Sequence, residues 1–278
     1  MTDWVKGVVA ANTHWTNNLF SLRIDADIEP FEAGQYTWLA LDSANQQDAV
    51  RSGQPYSILS GPDEQTLEFF FYTHVEGELS QYLSQLKPGQ QLWVKRQPAG
   101  NLTLSQVRVA PVLCLLATGT GVAPFISMLK TAEPWQRFEQ VVLAYAVRQV
   151  DDLRYRDLFD ALSAKHGNRF RLIPFVSRET PAGLKLPDAI HGHIPASLIS
   201  GEFEKVLGIP LTPDSSQIML CGNPGMVKDA IALLLQRGFK DNRRGETGNS
   251  SGNTNGTGAS NHNSNRDLPG QLTYEAYW

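Results

Sequence analysis

The feature that most constrains the fold of this 278-residue chain is the apolar run Val112-Leu113-Cys114-Leu115-Leu116-Ala117, followed without a break by Thr118-Gly119-Thr120-Gly121-Val122-Ala123-Pro124. A run with no polar face is the pattern of a parallel strand buried on both sides. The glycine-rich turn then leads into the helical pattern Phe125-Ile126-Ser127-Met128-Leu129-Lys130. Strand, Gly-x-Gly turn and helix in that order let backbone N–H groups approach phosphate oxygens. The same order is a dinucleotide-binding fingerprint with its last glycine missing, because Pro124 stands where a third glycine would let helix and strand pack closely. Proline sits easily at a helix start, where its absent N–H has no partner to lose. An ordinary α/β turn has the same outline, so the turn alone leaves the ligand open.

The flanking sequence divides at this point. Before it, short alternating runs at 4–9, 19–24, 35–41, 67–72 and 91–95 are separated by turn clusters such as Lys87-Pro88-Gly89. Short strands at that spacing predict a barrel or sandwich. Beyond Pro111, apolar strands at 112–117, 141–146, 170–176 and 218–221 alternate with helical patterns at 155–165 and 226–236. That alternation predicts a parallel sheet with helices on both faces. The boundary is expected within 105–111. From Thr247 to Asn265 every residue is Thr, Gly, Asn, Ser, Ala or His, which predicts a flexible loop or linker. The chain then returns to strand-like, aromatic sequence in Gln271-Leu272-Thr273-Tyr274-Glu275-Ala276-Tyr277-Trp278.

Composition narrows the function. A formal net charge of -4 argues against nonspecific nucleic-acid binding, which calls for a basic face. No apolar stretch is long enough to span a bilayer, and Met1-Thr2-Asp3-Trp4-Val5-Lys6 lacks the pattern of a secretory signal, so a cytoplasmic protein is expected. The 2 cysteines, Cys114 and Cys221, exclude a disulfide framework or a four-cysteine iron–sulfur site within the chain. His191-Gly192-His193 has no third and fourth ligand nearby, and no metal is expected.

Four segments now stand in one order: Gln54-Pro55-Tyr56-Ser57, Gly119-Thr120-Gly121-Val122-Ala123-Pro124, Cys221-Gly222-Asn223-Pro224 and the terminal Tyr277-Trp278. Together they resemble the bacterial ferredoxin (flavodoxin)–NADP reductase family, and the resemblance runs from Asp3-Trp4-Val5 to Trp278. It implies two domains: an antiparallel β-barrel for FAD over 1–105, and a parallel-sheet α/β domain for NADP over 106–278. It implies hydride transfer between NADP(H) and FAD, coupled to one-electron exchange with a ferredoxin or flavodoxin, in a monomer. A flavin reductase or the reductase component of an oxygenase is the alternative within the superfamily. A noncatalytic FAD electron-transfer subunit or redox sensor is the alternative from another class.

The resemblance also nominates residues. Tyr56 would lie against the flavin ring and Ser57 would hydrogen-bond near its N5, with Pro55 and Gln54 just before them in the same FAD-binding segment. Glu78, Leu79 and Ser80 match a second flavin segment, where a helix N-terminus meets the pyrophosphate; an N-cap role for Ser80 is the plainer reading. Phe70, Tyr72 and Thr73 would border the flavin, or simply alternate between core and surface. Thr118, Gly119 and Thr120 would line the meeting point of flavin and nicotinamide. Cys221 would be a small, polarizable contact to the nicotinamide, or a buried structural thiol, with Gly222 and Asn223 beside it. Arg148 and Arg178 would face the 2′-phosphate, or simply be surface arginines, with Val147 and Ser177 beside them in the NADP site. Tyr277 and Trp278 would cover the flavin and its adenine, and Glu275 would handle protons or ligand. Lys240, Arg243 and Arg244 form a candidate carrier-docking cluster or a solvated helix end.

Two positions depart from the family pattern. Gln54 stands where relatives carry an arginine for the FAD pyrophosphate, which removes a charge-assisted bond of roughly 1.5–3 kcal/mol. His193, before Ile194-Pro195, replaces another arginine. Histidine is mostly neutral at pH 7, so NADP preference is expected to be weaker than in arginine-bearing relatives and to grow below about pH 6.5.

Overall fold

A computed structural model describes residues 3–41, 53–73, 78–179, 186, 188–242 and 270–276. The short alternating runs pair as an antiparallel sheet made of β1 (Trp4–His14), β2 (Leu19–Asp25), β3 (Tyr36–Ala40), β4 (Gln54–Ser57), β5 (Leu67–Tyr72) and β6 (Gln91–Lys95). The order is β4-β3-β6-β1-β2-β5. Its two edges approach each other, since Ile58 bridges Phe69 and the Leu59 N–H donates to the Glu68 carbonyl at 2.7 Å. The sheet therefore nearly closes into a barrel, which protects both edge strands. Alternate residues, among them Leu22, Leu39, Phe69, Phe71 and Val94, fill its interior. The helix α1 (Glu78–Gln85) contributes Leu79 and Leu83 to the same core. Its unpaired C-terminal carbonyls are met by Asn12, whose Nδ2 donates to Leu83, Ser84 and Leu86 at 3.1, 3.0 and 2.9 Å. A register shift between Val9 and Ala11 bends β1 just before that asparagine.

The second sheet is parallel, built from β7 (Val112–Thr118), β8 (Gln140–Val147), β9 (Phe170–Val176), β10 (Ile190–His191), β11 (Ser216–Gly222) and β12 (Leu272–Ala276). Its order is β10-β9-β8-β7-β11-β12. The helices α2 (Ala123–Leu129), α3 (Glu133–Arg137), α4 (Arg156–His166), α5 (Ile194–Ser200), α6 (Glu202–Leu207) and α7 (Pro224–Gln236) follow the strands. Leu113, Leu115 and Phe125 with Phe159 of α4 fill one face; Cys114, Leu116 and Ile218 with Leu198, Phe203 and Ala230 fill the other. Burial on both faces is why these strands read as unbroken apolar runs. The expected strand at 170–176 coincides with β9, while α7 begins two residues earlier than its apolar pattern. Asn223 supplies the cap there, with Pro224 in the first helical positions, so the helix starts on residues that periodicity does not mark.

The two sheets share a core. Leu19, Leu59, Phe70 and Leu102 pack with Leu113, Phe125, Ile126 and Met128 in one cluster. Full burial of a phenylalanine such as Phe125 contributes about 1.5–3 kcal/mol. Polar ties accompany it: the Ser127 hydroxyl donates to the Ser60 carbonyl at 2.7 Å, and Lys130 pairs with Glu64 at 2.8 Å. Tyr155, held in the left-handed region at φ 63°, donates its hydroxyl to Glu68 Oε1 at 2.8 Å. Its ring lies edge-on to Phe70 at 5.2 Å, and Trp15 is 5.6 Å away. Tyr155→Phe is expected to lower the unfolding free energy by about 1–2 kcal/mol, because the half-buried Glu68 carboxylate loses a donor. Urea titration reads this directly; a loss under about 0.3 kcal/mol would mean that the pair contributes nothing.

Local pairing ties β12 to the residues that follow α7. Asp241 bridges Leu272 in parallel, the Leu272 N–H donates to the Lys240 carbonyl at 3.1 Å, and the Tyr274 hydroxyl donates to Asp241 Oδ2 at 2.9 Å. The expected linker at 247–265 lies outside the described residues. Among the described residues no helix is long and apolar enough to cross a membrane.

Candidate active site

Strand order reverses between β7 and β11: the chain leaves β7 toward β8 on one side and returns later to place β11 on the other. In an open α/β sheet, ligands bind in the crevice beyond the strands' carboxyl ends at such a point. Here those ends interlock. The Asn223 N–H donates to Thr118 Oγ1 at 2.7 Å. Gly222, at φ +129°, has no room for a side chain, since a Cβ would fall 2.1 Å from Thr118 Oγ1. Gly121 is equally tight, with a Cβ meeting the Cys221 carbonyl oxygen at 2.6 Å. The Asn223 side chain accepts from the Gly225 and Met226 N–H groups at 2.9 and 3.2 Å and so caps α7. Between β7 and α2 the expected turn is a single 3₁₀ turn, Gly119–Val122.

The barrel meets this turn at Tyr72. A Cβ on Gly119 would lie 3.3 Å from Tyr72 Cε2, so the glycine keeps a narrow gap open between the two sheets. Burial pushes the Tyr72 hydroxyl up to about 12, helped by Asp152 and opposed by Arg148 and Arg154. The phenol is thus a hydrogen-bond donor at neutral pH, ringed by charged groups of the parallel sheet. Ser57 is half-buried on β4 opposite Tyr36 of β3. Glu275 of β12 reaches back to the barrel, its Oε1 accepting from the Asn101 N–H at 3.2 Å. Burial, then Glu275, raises the Tyr36 hydroxyl above its ordinary value.

On the other side of β7 the strand ends carry cations. The Arg178 N–H donates to the Arg148 carbonyl at 2.9 Å, which sets the two exposed arginines side by side after β9 and β8. The Ser177 N–H donates to the Val147 carbonyl at 3.2 Å and the Gly192 N–H to the Val176 carbonyl at 3.0 Å. His193, exposed, follows at the start of α5. Three cationic or protonatable groups thus stand on the carboxyl ends of three adjacent strands.

The remaining expected residues fall as follows. Tyr56 lies on the opposite face of β4 from Ser57, packing edge-on to Phe71 at 5.7 Å, and burial raises its hydroxyl. Gln54 is exposed and accepts from the Tyr56 hydroxyl at 3.5 Å; Pro55 is also exposed. Phe70 belongs to the shared core and backs Tyr72 from the same face of β5. Thr73 joins the β1–β2 turn through its N–H, which donates to the Asn18 carbonyl at 2.9 Å. Glu78 is exposed at the start of α1, whereas Leu79 and Ser80 are buried. Thr120 is half-buried in the turn. Cys221 is fully buried, and its thiol is raised well above the ordinary value by burial and by Glu275. Its side chain is core, so the residue borders the crevice through its backbone. Tyr277, Trp278, Arg243 and Arg244 lie outside the described residues. Among the described residues no group of three His, Cys, Asp or Glu could hold a metal.

Sequence reading passed over Arg154, Trp15 and Tyr155. Arg154 donates to the Trp15 carbonyl at 3.2 Å and lies over its ring at 5.7 Å. No motif marks them, because they meet only when the barrel docks on the parallel sheet. The thiols give a separate expectation. Burial, with Glu204 as a smaller cause, also raises Cys114. The folded chain keeps two thiol protons that the unfolded chain loses above about pH 8.5, so stability falls as pH rises past that value. Iodoacetamide should label neither cysteine in the folded protein at pH 7.5 and both in denaturant; rapid labelling of the folded form would refute their burial.

The geometry is that of a near-closed barrel docked on the switch point of a parallel sheet, with cations at its strand ends. Residues 115–231 match the Oxidoreductase NAD-binding domain family. The chain is 40% identical over 229 residues to the flavodoxin/ferredoxin–NADP reductase of Escherichia coli (strain K12), covering 82% of this chain and 89% of that one. It is 31% identical over 279 residues to that of Buchnera aphidicola subsp. Baizongia pistaciae (strain Bp), with 100% of both chains covered. A ferredoxin NADP+ reductase from Neisseria gonorrhoeae, solved with bound FAD and NADP, superposes with a TM-score of 0.80 at 27% identity over 99% of each chain. The chain belongs to the flavodoxin/ferredoxin–NADP reductase family.

Proposed function

We propose that this chain is an FAD-containing reductase that exchanges electrons between NADP(H) and a ferredoxin or flavodoxin. The observation that carries the reading is the close approach of Tyr72 to Gly119 across a narrow gap, which brings β5 of the barrel to the crevice of the nucleotide-type sheet. The residues there fit a flavin. A half-buried hydroxyl, a protonated phenol and a glycine-kept gap suit a flat ring with hydrogen-bonding nitrogens. FAD, when bound, supplies the link between a two-electron donor and one-electron carriers.

The chain's own groups do the rest. Ser57 would offer its hydroxyl to the ring edge, and Tyr72 would donate from the protein side. The N-terminal N–H groups of α1 would meet the pyrophosphate, with Gln54 contributing an amide rather than a charge. Arg148, Arg178 and His193 would bind the 2′-phosphate of NADP(H), and the Thr118–Gly222 interlock would hold the crevice at a fixed width. Glu275 would tie the C-terminal strand to the barrel. Action as a cytoplasmic monomer belongs to the same reading.

His193→Arg is expected to raise the ratio of NADPH to NADH efficiency about tenfold, by adding a fixed charge where an imidazole now stands. An unchanged ratio of kcat/KM values would take His193 out of the phosphate site. For the function itself the decisive experiment is anaerobic stopped-flow reduction of the flavin-loaded protein by NADPH and NADH, followed by mixing with ferredoxin or flavodoxin. Flavin binding without reduction by either nucleotide would overturn the reading.

A further inference from the structure

We propose that Glu179 is a positioning residue for nucleotide selection: its carboxylate fixes the spacing between Arg148 and Arg178, the pair that would meet the 2′-phosphate of NADP(H). The inference rests on the reductase reading and adds to it a residue that acts through the two arginines. Those arginines stand on segments that leave the sheet together. β8 and β9 pair in parallel as far as Val147 opposite Val176. Backbone bonds carry the pairing two residues further, from the Ser177 N–H to the Val147 carbonyl at 3.2 Å and from the Arg178 N–H to the Arg148 carbonyl at 2.9 Å. The β8 segment then turns away into the 3₁₀ turn Val150–Asp152. Here a side chain makes the tie, since the Val150 N–H donates to Glu179 Oε1 at 2.5 Å.

The turn explains why an acceptor is needed at that point. The first N–H groups of a helical turn have no carbonyl within the turn to bond. Asp152 serves one of them from inside, its Oδ2 accepting from the Gln149 N–H at 3.3 Å. The Val150 N–H is served across the gap by Glu179, 29 positions along the chain. The far end of the turn is anchored independently. Leu153 is buried in the shared core, and the Tyr145 hydroxyl donates to the Asp152 carbonyl at 3.4 Å. Loss of Glu179 should therefore free the Arg148 end of the loop and leave the crevice side, where Tyr72 stands, in place.

Charge sharpens the requirement. Arg148 and Arg178 are exposed, while Val150 and Glu179 are half-buried beneath them in the same pair of loops. Two cations set side by side repel, so the segments that carry them tend to part when no phosphate lies between. A charged acceptor makes a shorter and stronger hydrogen bond than a neutral one, and it opposes that parting. Two long side chains grip one phosphate well only when their anchor points are set beforehand, because less order is then lost on binding. A nucleotide without the 2′-phosphate has no use for this spacing.

The test uses the flavin-loaded, full-length chain as wild type, Glu179→Ala and Glu179→Gln, the last of which keeps a carbonyl oxygen at the same reach. Calorimetric titration with 2′-phospho-AMP reads the phosphate site without turnover, and steady-state kinetics compare NADPH with NADH. Glu179→Ala is expected to bind 2′-phospho-AMP about tenfold more weakly and to raise KM for NADPH about tenfold, while kcat and the NADH efficiency change by less than about twofold. Glu179→Gln should bring both values back to within about threefold of wild type, since it restores an acceptor for the Val150 N–H. Wild-type affinity in Glu179→Ala, an equal loss with NADH, or no rescue by Glu179→Gln would overturn the assignment and leave the arginines at the phosphate. A wild-type chain that binds 2′-phospho-AMP no more tightly than AMP would overturn the phosphate reading of Arg148 and Arg178 and this inference with it. The reductase reading is decided separately, by flavin reduction.

Discussion

Alanine at Gly222 is expected to destabilise the protein by about 3 kcal/mol, more than any other single methyl group at the crevice. Two costs combine. The residue sits at φ +129°, a region that side-chain-bearing residues rarely adopt. Its Cβ would also fall 2.1 Å from Thr118 Oγ1, which can turn away only by giving up the Asn223 N–H, and 2.6 Å from the Thr118 carbonyl oxygen, which is backbone one residue past the paired Ala117. Relief would require β11 to move away from β7, which would also break the Asn223–Thr118 hydrogen bond and shift the start of α7. Gly119→Ala is the informative contrast. Gly119 lies at φ +54° and its Cβ would touch only Tyr72, so the stability cost should stay near 1 kcal/mol while ligand entry suffers. Guanidinium unfolding of both variants separates them. A Gly222→Ala protein within about 1 kcal/mol of wild type would show that the interlock is looser than its contacts indicate.

Ser57→Ala should slow reduction of the flavin-loaded protein by NADPH about a hundredfold while flavin remains bound. The hydroxyl is a small polar group half-buried at the end of β4 opposite Tyr36, and in the proposed reading it would meet the flavin ring. A donor fixed in advance beside a reacting centre is worth about two to three orders of magnitude in rate when removed. Methyl for hydroxyl at a half-buried strand end leaves packing nearly intact, so the loss should fall on the rate rather than on stability or flavin content. Single-turnover absorbance at the flavin band gives the rate, and the flavin-to-protein absorbance ratio gives the occupancy. A rate within about threefold of wild type would remove Ser57 from the reacting centre.

Much of the fold was legible because its strands carry their burial in their spelling. The unbroken apolar run of β7 reads as a strand covered on both faces, and the alternation of β5 separates Phe69 and Phe71 from Phe70 and Tyr72. The site was legible where backbone chemistry dictates residue type, as at Gly119, Gly121 and Gly222. It was less so where long-range docking decides. Nothing local tells that Tyr155 will reach Glu68, that Arg154 will rest on Trp15, or that Cys221 turns its thiol inward while its carbonyl meets Gly121. Tyr56 and Ser57 are neighbours in one motif, yet strand alternation sends them to opposite faces, and only the barrel shows that Tyr56 is the one packed on its core.

The paired ends at Asp241 and Leu272 make this a natural splice point. Residues on either side of the 243–269 segment are already joined by backbone pairing and by the Tyr274–Asp241 hydrogen bond. Closing a chain between fixed ends costs only about 0.6 kcal/mol for each doubling of its length. Length there is accordingly almost decoupled from the position of β12, and with it from Glu275. A tag, a sensor module or a tether to an electron carrier could be inserted at this point, leaving the crevice between the two sheets as it is.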